Sequence, residues 1–479
     1  MVDTHREAPP TAGPVRVAWR LVGGLRLRGD RGVPGRRAPF LRHPAQVVVV
    51  AFAAAVAVGT ALLMLPAARE GSGSASLLEA AFTATSAVCV TGLVVVDTPD
   101  YWSTFGEVVI LGLIQVGGFG IMTLASLLVV LVSRRMGLRS RLTAAAETKT
   151  FGLGDVRSVL VGVAKVSVTV ELTVAAILTV RLATAYDEPL GRAVYLGVFH
   201  AVSAFNNAGF SLHSDSLMRF VTDPWVNLPI CLAIIIGGLG FPVLLELRRH
   251  LRRPWRWSLH TKITVWATGV LLVSGTAFVA ISEWGNSATF GPLDGPGRLL
   301  ASFFHAVNTR TAGFNSLDVG AMTEGTWLGS DVLMFIGGGS AGTAGGIKVT
   351  TFALLLFVIL AEVRGEESVH VFDRKVGPRA QRQALSVALL AVAAVVIPTV
   401  FILEATDMAL DQVLFEVVSA FATVGLSTGI TADLPAGAQA AIMVLMFIGR
   451  LGPITFASAL ALRQRGRRYD LPEARPIIG

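Results

Sequence analysis

The chain has 479 residues, 53% of them hydrophobic and only 15% charged, with a formal net charge of +8. An average soluble protein carries roughly 25% charged residues, so this composition argues against a soluble protein, and the positions of the positive charges argue against nucleic acid as the partner. The mean hydropathy is +0.65, and two cysteines in apolar segments, Cys89 and Cys231, make no disulfide framework.

Residues 1–44 hold nine arginines but no short basic region followed at once by an apolar stretch, so no cleavable signal is expected. This arm reads as cytoplasmic, either touching lipid headgroups or a partner, or serving as a solvated topology signal. The apolar run 45–65 is long enough for a bilayer core of about 30 Å. Seven further spans are expected near 105–132, 159–183, 224–247, 259–281, 328–360, 383–403 and 435–461. A shorter, semi-polar segment separates the two spans of each pair, and a basic loop follows each pair. Counting the arm, these basic segments hold 31 of the 40 Lys and Arg residues. The positive-inside rule then puts them, and both termini, in the cytoplasm.

The expected organisation is a cytoplasmic arm (1–44), repeat 1 (45–133), a linker (134–157), repeat 2 (158–247) and a linker (248–258). Repeat 3 (259–360), a linker (361–382), repeat 4 (383–461) and a cytoplasmic tail (462–479) complete it. The repeats show as self-similarity. Phe199-His200-Ala201-Val202 recurs at 304–307, Ser203-Ala204-Phe205 at 419–421, and Val332–Gly337 at 444–449. The units align on Gly92, Gly209, Gly313 and Gly425. Phe82, Phe199 and Phe415 lie ten residues before their glycines, whereas Phe304 lies nine before Gly313. Second glycine clusters begin at Gly117, Gly237, Gly337 and Gly449.

Each semi-polar segment reads as a short helix running into a glycine turn. Non-helical backbone survives at membrane depth only where it lines a cavity or is buried in protein. Glycine accepts positive φ, so successive carbonyls can face one axis. Rings of carbonyl oxygens replace the hydration shell of a cation. The candidate filter is therefore Val90, Thr91 and Gly92; Asn207, Ala208 and Gly209; Thr311, Ala312 and Gly313; and Thr423, Val424 and Gly425. One such loop alone would read as a linker outside the membrane; four in register favour a filter. The fold class is all-α and polytopic: eight full spans plus four pore half-helices.

The sixth span is interrupted by Gly337-Gly338-Gly339-Ser340-Ala341-Gly342-Thr343-Ala344-Gly345-Gly346. Each glycine costs a helix about 1 kcal/mol relative to alanine, so the helix should break here. The run reads as a gate below the filter, or as a passive kink. Arg450 lies inside the last span, where a charge is functional by default. It reads as an electrostatic barrier to cations or as half of a buried ion pair. Arg310 precedes the third filter strand and is expected to hydrogen-bond filter backbone as a scaffold. Lys348 is expected to reach toward the cytoplasm. Asp97 sits near the outer mouth, as a cation attractor or a solvated loop residue. The Gly338-x-Ser340-x-Gly342 pattern keeps an intramembrane serine protease open, and a non-conducting scaffold or sensor is the other alternative.

These four glycine loops, the glycine-rich break and Arg450 resemble the Trk/Ktr/HKT superfamily of potassium transporters, and among them the KtrB-type membrane subunits. The resemblance covers about residues 40–479. It implies a pseudo-fourfold pore with K+ as the transported ion held at the filter residues, and no enzymatic activity or covalent cofactor. Gly92 stands where sodium-preferring plant relatives carry serine. The resemblance also implies a gating role for 337–346 with Arg450 beside it, and Na+ as an activating or coupled ion. As partners it implies a second copy in a homodimer and a cytosolic KtrA/TrkA-type nucleotide-binding (RCK) ring, within the cytoplasmic membrane. The two leading helices of TrkH proteins are not expected here.

Overall fold

The computed structural model describes residues 44–135 and 156–452. The arginine-rich arm, most of the first basic linker and the tail lie outside the described residues.

The chain is built from helices in a recurring order. α1 (Pro44–Leu63) is apolar throughout. α2 (Leu77–Cys89) begins at a capping box: Ser76 Oγ accepts the Glu79 N–H, and the Glu79 carboxylate accepts the Ser76 N–H at 2.8 Å. The short α3 (Thr98–Tyr101) leads to the long α4 (Thr104–Arg135). Next come α5 (Val156–Ala185), α6 (Leu190–Asn206), α7 (Pro224–Leu239) and α8 (Phe241–His250). α9 (Leu259–Glu283), α10 (Gly295–Asn308), α11 (Glu324–Phe335) and α12 (Val349–Val363) follow. A two-stranded antiparallel hairpin, β1 (His370–Val371) and β2 (Arg374–Lys375), pairs His370 with Lys375. α13 (Pro378–Ala405), α14 (Leu410–Ala422) and α15 (Ala436–Leu451) complete the described chain.

Among the described residues, α1, α5, α9 and α13 are long and apolar enough to cross a membrane. α7 and α8 qualify together as one bent span. Large apolar side chains such as Leu172, Val180, Val273, Leu389 and Ile397 are exposed on these helices. A face of that kind suits lipid rather than water. The deepest burial belongs instead to the short helices α2, α6, α10 and α14. Their repeat phenylalanines, Phe82, Phe199, Phe304 and Phe415, are fully buried, so the recurring phenylalanine marks the packing anchor of each unit.

Two expected spans differ from straight helices. The span expected over 224–247 bends by 103° between α7 and α8. Gly240 sits at the break with φ +92°, where a Cβ would collide with the Ser340 carbonyl. The span expected over 328–360 is split into α11 and α12, and the glycine run fills the gap.

Candidate functional site

The four glycine turns share one backbone pattern. The residue two before each glycine has positive φ: Val90 (55°), Asn207 (59°), Thr311 (75°) and Thr423 (51°). The glycines also have positive φ, whereas the residues between them, Thr91, Ala208, Ala312 and Val424, do not. Three of the four left-handed positions hold β-branched residues, for which that region is a genuine outlier. Such strain persists only where the surroundings over-determine it, and it gathers at functional sites.

The turns meet in a closed ring. A Cβ built on Gly92 would fall under 3.0 Å from the Ala208 carbonyl oxygen, and one on Gly209 would fall 2.6 Å from that of Ala312. The same overlap joins Gly313 to Val424 and Gly425 to Thr91. Each glycine thus makes room for the carbonyl of the next unit, in the order first, second, third, fourth and back to the first. The twelve candidate filter residues predicted from sequence are brought together here.

Serines to which the sequence reading gave no site role hold the strands from behind. Ser86 Oγ accepts the Gly92 N–H at 3.0 Å, and Ser419 Oγ accepts the Gly425 N–H at 3.1 Å. Ser203 instead donates to the Phe210 carbonyl at 2.8 Å. All three serines lie six residues before their glycine, a spacing that was available in the sequence. The third unit departs: α10 ends at Asn308, and Asn308 Oδ1 accepts the Phe314 N–H at 3.0 Å. That earlier helix end accounts for the altered phenylalanine spacing.

The second glycine clusters have a packing role. A Cβ on Gly117, Gly237 or Gly449 would overlap the carbonyl of Val88, Phe205 or Phe421, respectively, near the end of a short helix. Without side chains, α4, α7 and α15 press directly against those helix ends. Gly337 differs, because its Cβ would meet the Gly345 carbonyl of its own loop.

On one side the ring opens to a cavity of about 450 Å³, lined by the four ring glycines and by Asp97, Asp318 and others. Burial pushes the Asp97 carboxyl up, and the Ser214 hydroxyl partly opposes this. Elsewhere the ring touches the glycine run. Thr343 Oγ1 donates to Asn207 Oδ1 at 2.9 Å, and a Cβ on Gly345 would overlap Thr423 Oγ1. The run is strapped to the α7 cluster by Gly339 N–H to the Gly238 carbonyl (2.8 Å) and Thr343 N–H to the Gly237 carbonyl (3.1 Å).

Basic side chains donate to the carbonyls of this run. Arg450 is buried and donates to the Thr343 carbonyl and, at 3.1 Å, to the Gly117 carbonyl. Among the described residues it makes no ion pair, so the buried-carboxylate reading finds no partner. Arg310 was expected to bond filter backbone; its guanidinium donates instead to the Gly337 carbonyl at 3.3 Å. A guanidinium can only donate, and the carbonyl within its reach belongs to the glycine run. Lys348 does not extend away either: its Nζ lies 2.5 Å from the Ala344 carbonyl. Ser340 Oγ pairs with Thr350 Oγ1 at 3.2 Å, whereas His200 and His305 pair with Ser211 and Ser330. No base is thus aligned on Ser340 among the described residues.

Apolar helices with lipid-suited faces, wrapped around buried, strained turns, define a multi-pass helical membrane protein. A family model described as "TrkH: Cation transport protein" matches residues 35–465, and the chain belongs to this family. The Ktr system potassium uptake protein B of Bacillus subtilis (strain 168) is 42% identical over 434 residues, covering 89% of this chain and 95% of that protein. The Ktr system potassium uptake protein B of Vibrio alginolyticus is 38% identical over 458 residues, covering 94% and 99%. The crystal structure of the potassium transporter TrkH from Vibrio parahaemolyticus shares the fold, with a TM-score of 0.70 at 18% identity, covering 89% of this chain and 87% of that one.

Proposed function

We propose that this chain is the ion-conducting membrane subunit of a Ktr/Trk-type potassium uptake system. The observation that carries the reading is the closed ring, in which the glycine of each turn admits the carbonyl of the next. Backbone carbonyls in such an array replace the hydration shell of a monovalent cation. Four short helices end at the ring, and the partial negative charge of their C-termini favours a cation there. The family membership and the potassium uptake proteins among its relatives support K+ as that cation.

In this reading the chain has four repeats, each a span, a pore half-helix with its filter strand, and a second span. The eight spans and four half-helices surround a pseudo-fourfold pore. Both termini are cytoplasmic. The run from Gly337 to Gly346 is the gate, and Arg450 both fastens it and opposes cation passage by its charge. A homodimer and a cytosolic nucleotide-binding ring are the proposed assembly, with Na+ as an activating or coupled ion.

The test is rubidium uptake into proteoliposomes containing the purified chain, with and without sodium and with competing potassium. Uptake that potassium suppresses more strongly than sodium does is expected. No uptake, even with the cytosolic subunit added, would refute the reading.

A further inference from the structure

The residue after each repeat phenylalanine holds an equivalent place in the four short helices: Thr83, His200, His305 and Glu416. All four are buried. Their partners divide them into two kinds.

In the second unit, His200 Nδ1 lies 2.8 Å from the Leu196 carbonyl, which can only accept, so Nδ1 carries the hydrogen. Nε2 is then the acceptor, 3.0 Å from Ser211 Oγ. Ser211 lies two residues past Gly209, and its Oγ accepts the His213 N–H at 3.0 Å. The Ser216 carbonyl at 3.3 Å competes for the same hydroxyl hydrogen.

The fourth unit repeats the plan with a carboxylate. Ser427 lies two residues past Gly425, and its Oγ accepts the Gly429 N–H at 2.9 Å. Ser427 Oγ is 3.0 Å from Thr431 Oγ1, and the Thr431 hydroxyl donates to Glu416 Oε1. Thr431 has one hydroxyl hydrogen and gives it to Glu416, and the Ser427 hydroxyl faces both Thr431 and the Glu416 carboxyl. Both hydroxyls link the turn after the filter strand to the buried Glu416 carboxyl, Thr431 by its bond to Oε1 and Ser427 beside it. Ser427, Gly429 and Thr431 also line the outer cavity, so this link ties its wall to the helix behind it.

The first and third units lack the arrangement. Val94 and Asn315 stand two past their glycines. The Thr83 hydroxyl has no hydrogen-bond partner among the described residues, and His305 faces Ser330 on α11. In the ring order the second and fourth units lie opposite each other.

We propose that His200 and Glu416 are positioning residues for ion discrimination. They are opposed posts that fix the backbone just past the second and fourth filter strands, and hence the ring spacing across that diameter. The inference rests on the filter reading of the ring. It adds that selectivity depends on two buried side chains that touch no ion.

The experiment compares wild type with Thr431→Val, Glu416→Leu and Glu416→Gln, as full chains in proteoliposomes, by rubidium uptake against competing sodium. Thr431→Val keeps the shape and removes only the hydroxyl. It and Glu416→Leu are expected to lower rubidium-over-sodium preference about tenfold, the scale of one hydrogen bond to a charged group. Maximal uptake should not fall in parallel. Glu416→Gln keeps an acceptor oxygen and is expected to retain most of the preference. Wild-type preference in a folded Thr431→Val protein would overturn the inference, as would Glu416→Gln behaving like Glu416→Leu. Should Glu416→Leu fail to fold, Thr431→Val still decides. A wild type without rubidium uptake would defeat the filter reading itself, a separately visible result.

Discussion

Arg450 offers the sharpest test of the gate. Its guanidinium donates to the Thr343 carbonyl within the glycine run and to the Gly117 carbonyl on α4. Arg450→Ala removes both bonds, but only the first holds the run. A hydrogen bond from a charged donor contributes about 1.5–3 kcal/mol, which is about tenfold to a hundredfold in an equilibrium between obstructing and displaced loop. The lower end is expected, because Arg310, Lys348 and the Gly237 and Gly238 carbonyls still bind the run. Loss of the buried positive charge acts in the same direction on a passing cation. The assay is basal rubidium uptake by the purified chain without any cytosolic subunit, with thermal unfolding in detergent measured in parallel. Arg450→Ala should raise basal uptake about tenfold. A folded variant whose basal uptake equals that of wild type would refute the gate role of this contact.

Two further outcomes follow from the geometry. Gly209→Ala places a Cβ 2.6 Å from the Ala312 carbonyl at a φ of +72°. Neighbouring backbone cannot yield without moving the ring, so rubidium uptake should drop more than tenfold while the protein still elutes as folded; retained uptake would contradict the closed ring. Burial in the loop after the second filter strand holds the His213 imidazole down from its ordinary 6.5 to about 3. The unfolded chain therefore takes up a proton that the folded one refuses, so stability falls as pH drops from about 6.5 toward 3. His213→Gln should flatten that acid-side loss in unfolding temperature, and an unchanged slope would show that another group sets it.

Much of this was legible in the sequence because membrane folding imposes coarse rules. Long apolar runs, basic loops and four aligned glycines each have a single physical cause, and their repetition removed most ambiguity. The kink at Gly240 was not legible, since the same residues suit a straight span by hydropathy alone. Pro242 opens the helix after the break, and the bend is packed against the close approach of Ser340. Arg310 was misdirected for a related reason. Its place beside the filter was plain, but its acceptor, the Gly337 carbonyl 27 residues on, is brought within reach only by the tertiary fold. Ser86, Ser203 and Ser419 carried a readable spacing, yet serine within a short helix has many local partners. Only the fold shows that Ser86 and Ser419 face the turn.

The basic donors around the glycine run pose a physical question that symmetry alone does not answer. A helix broken within a membrane frees carbonyls that must find donors, because no water is available in the hydrocarbon. Neutral side chains could supply them, as Asn207 Nδ2 does nearby for the Arg310 carbonyl at 3.5 Å. Here Arg310, Lys348 and Arg450 do so, from three different segments. Charged donors bind carbonyls more strongly than neutral ones. They also place positive charge on the proposed ion path while the run is in place. Displacing the run must break these bonds and leave buried charges without acceptors, which is costly unless something else supplies compensation. The same contacts that satisfy the broken helix therefore make its obstructing position the default. Under the gate proposal, opening requires outside work, which is the requirement a regulatory partner would meet.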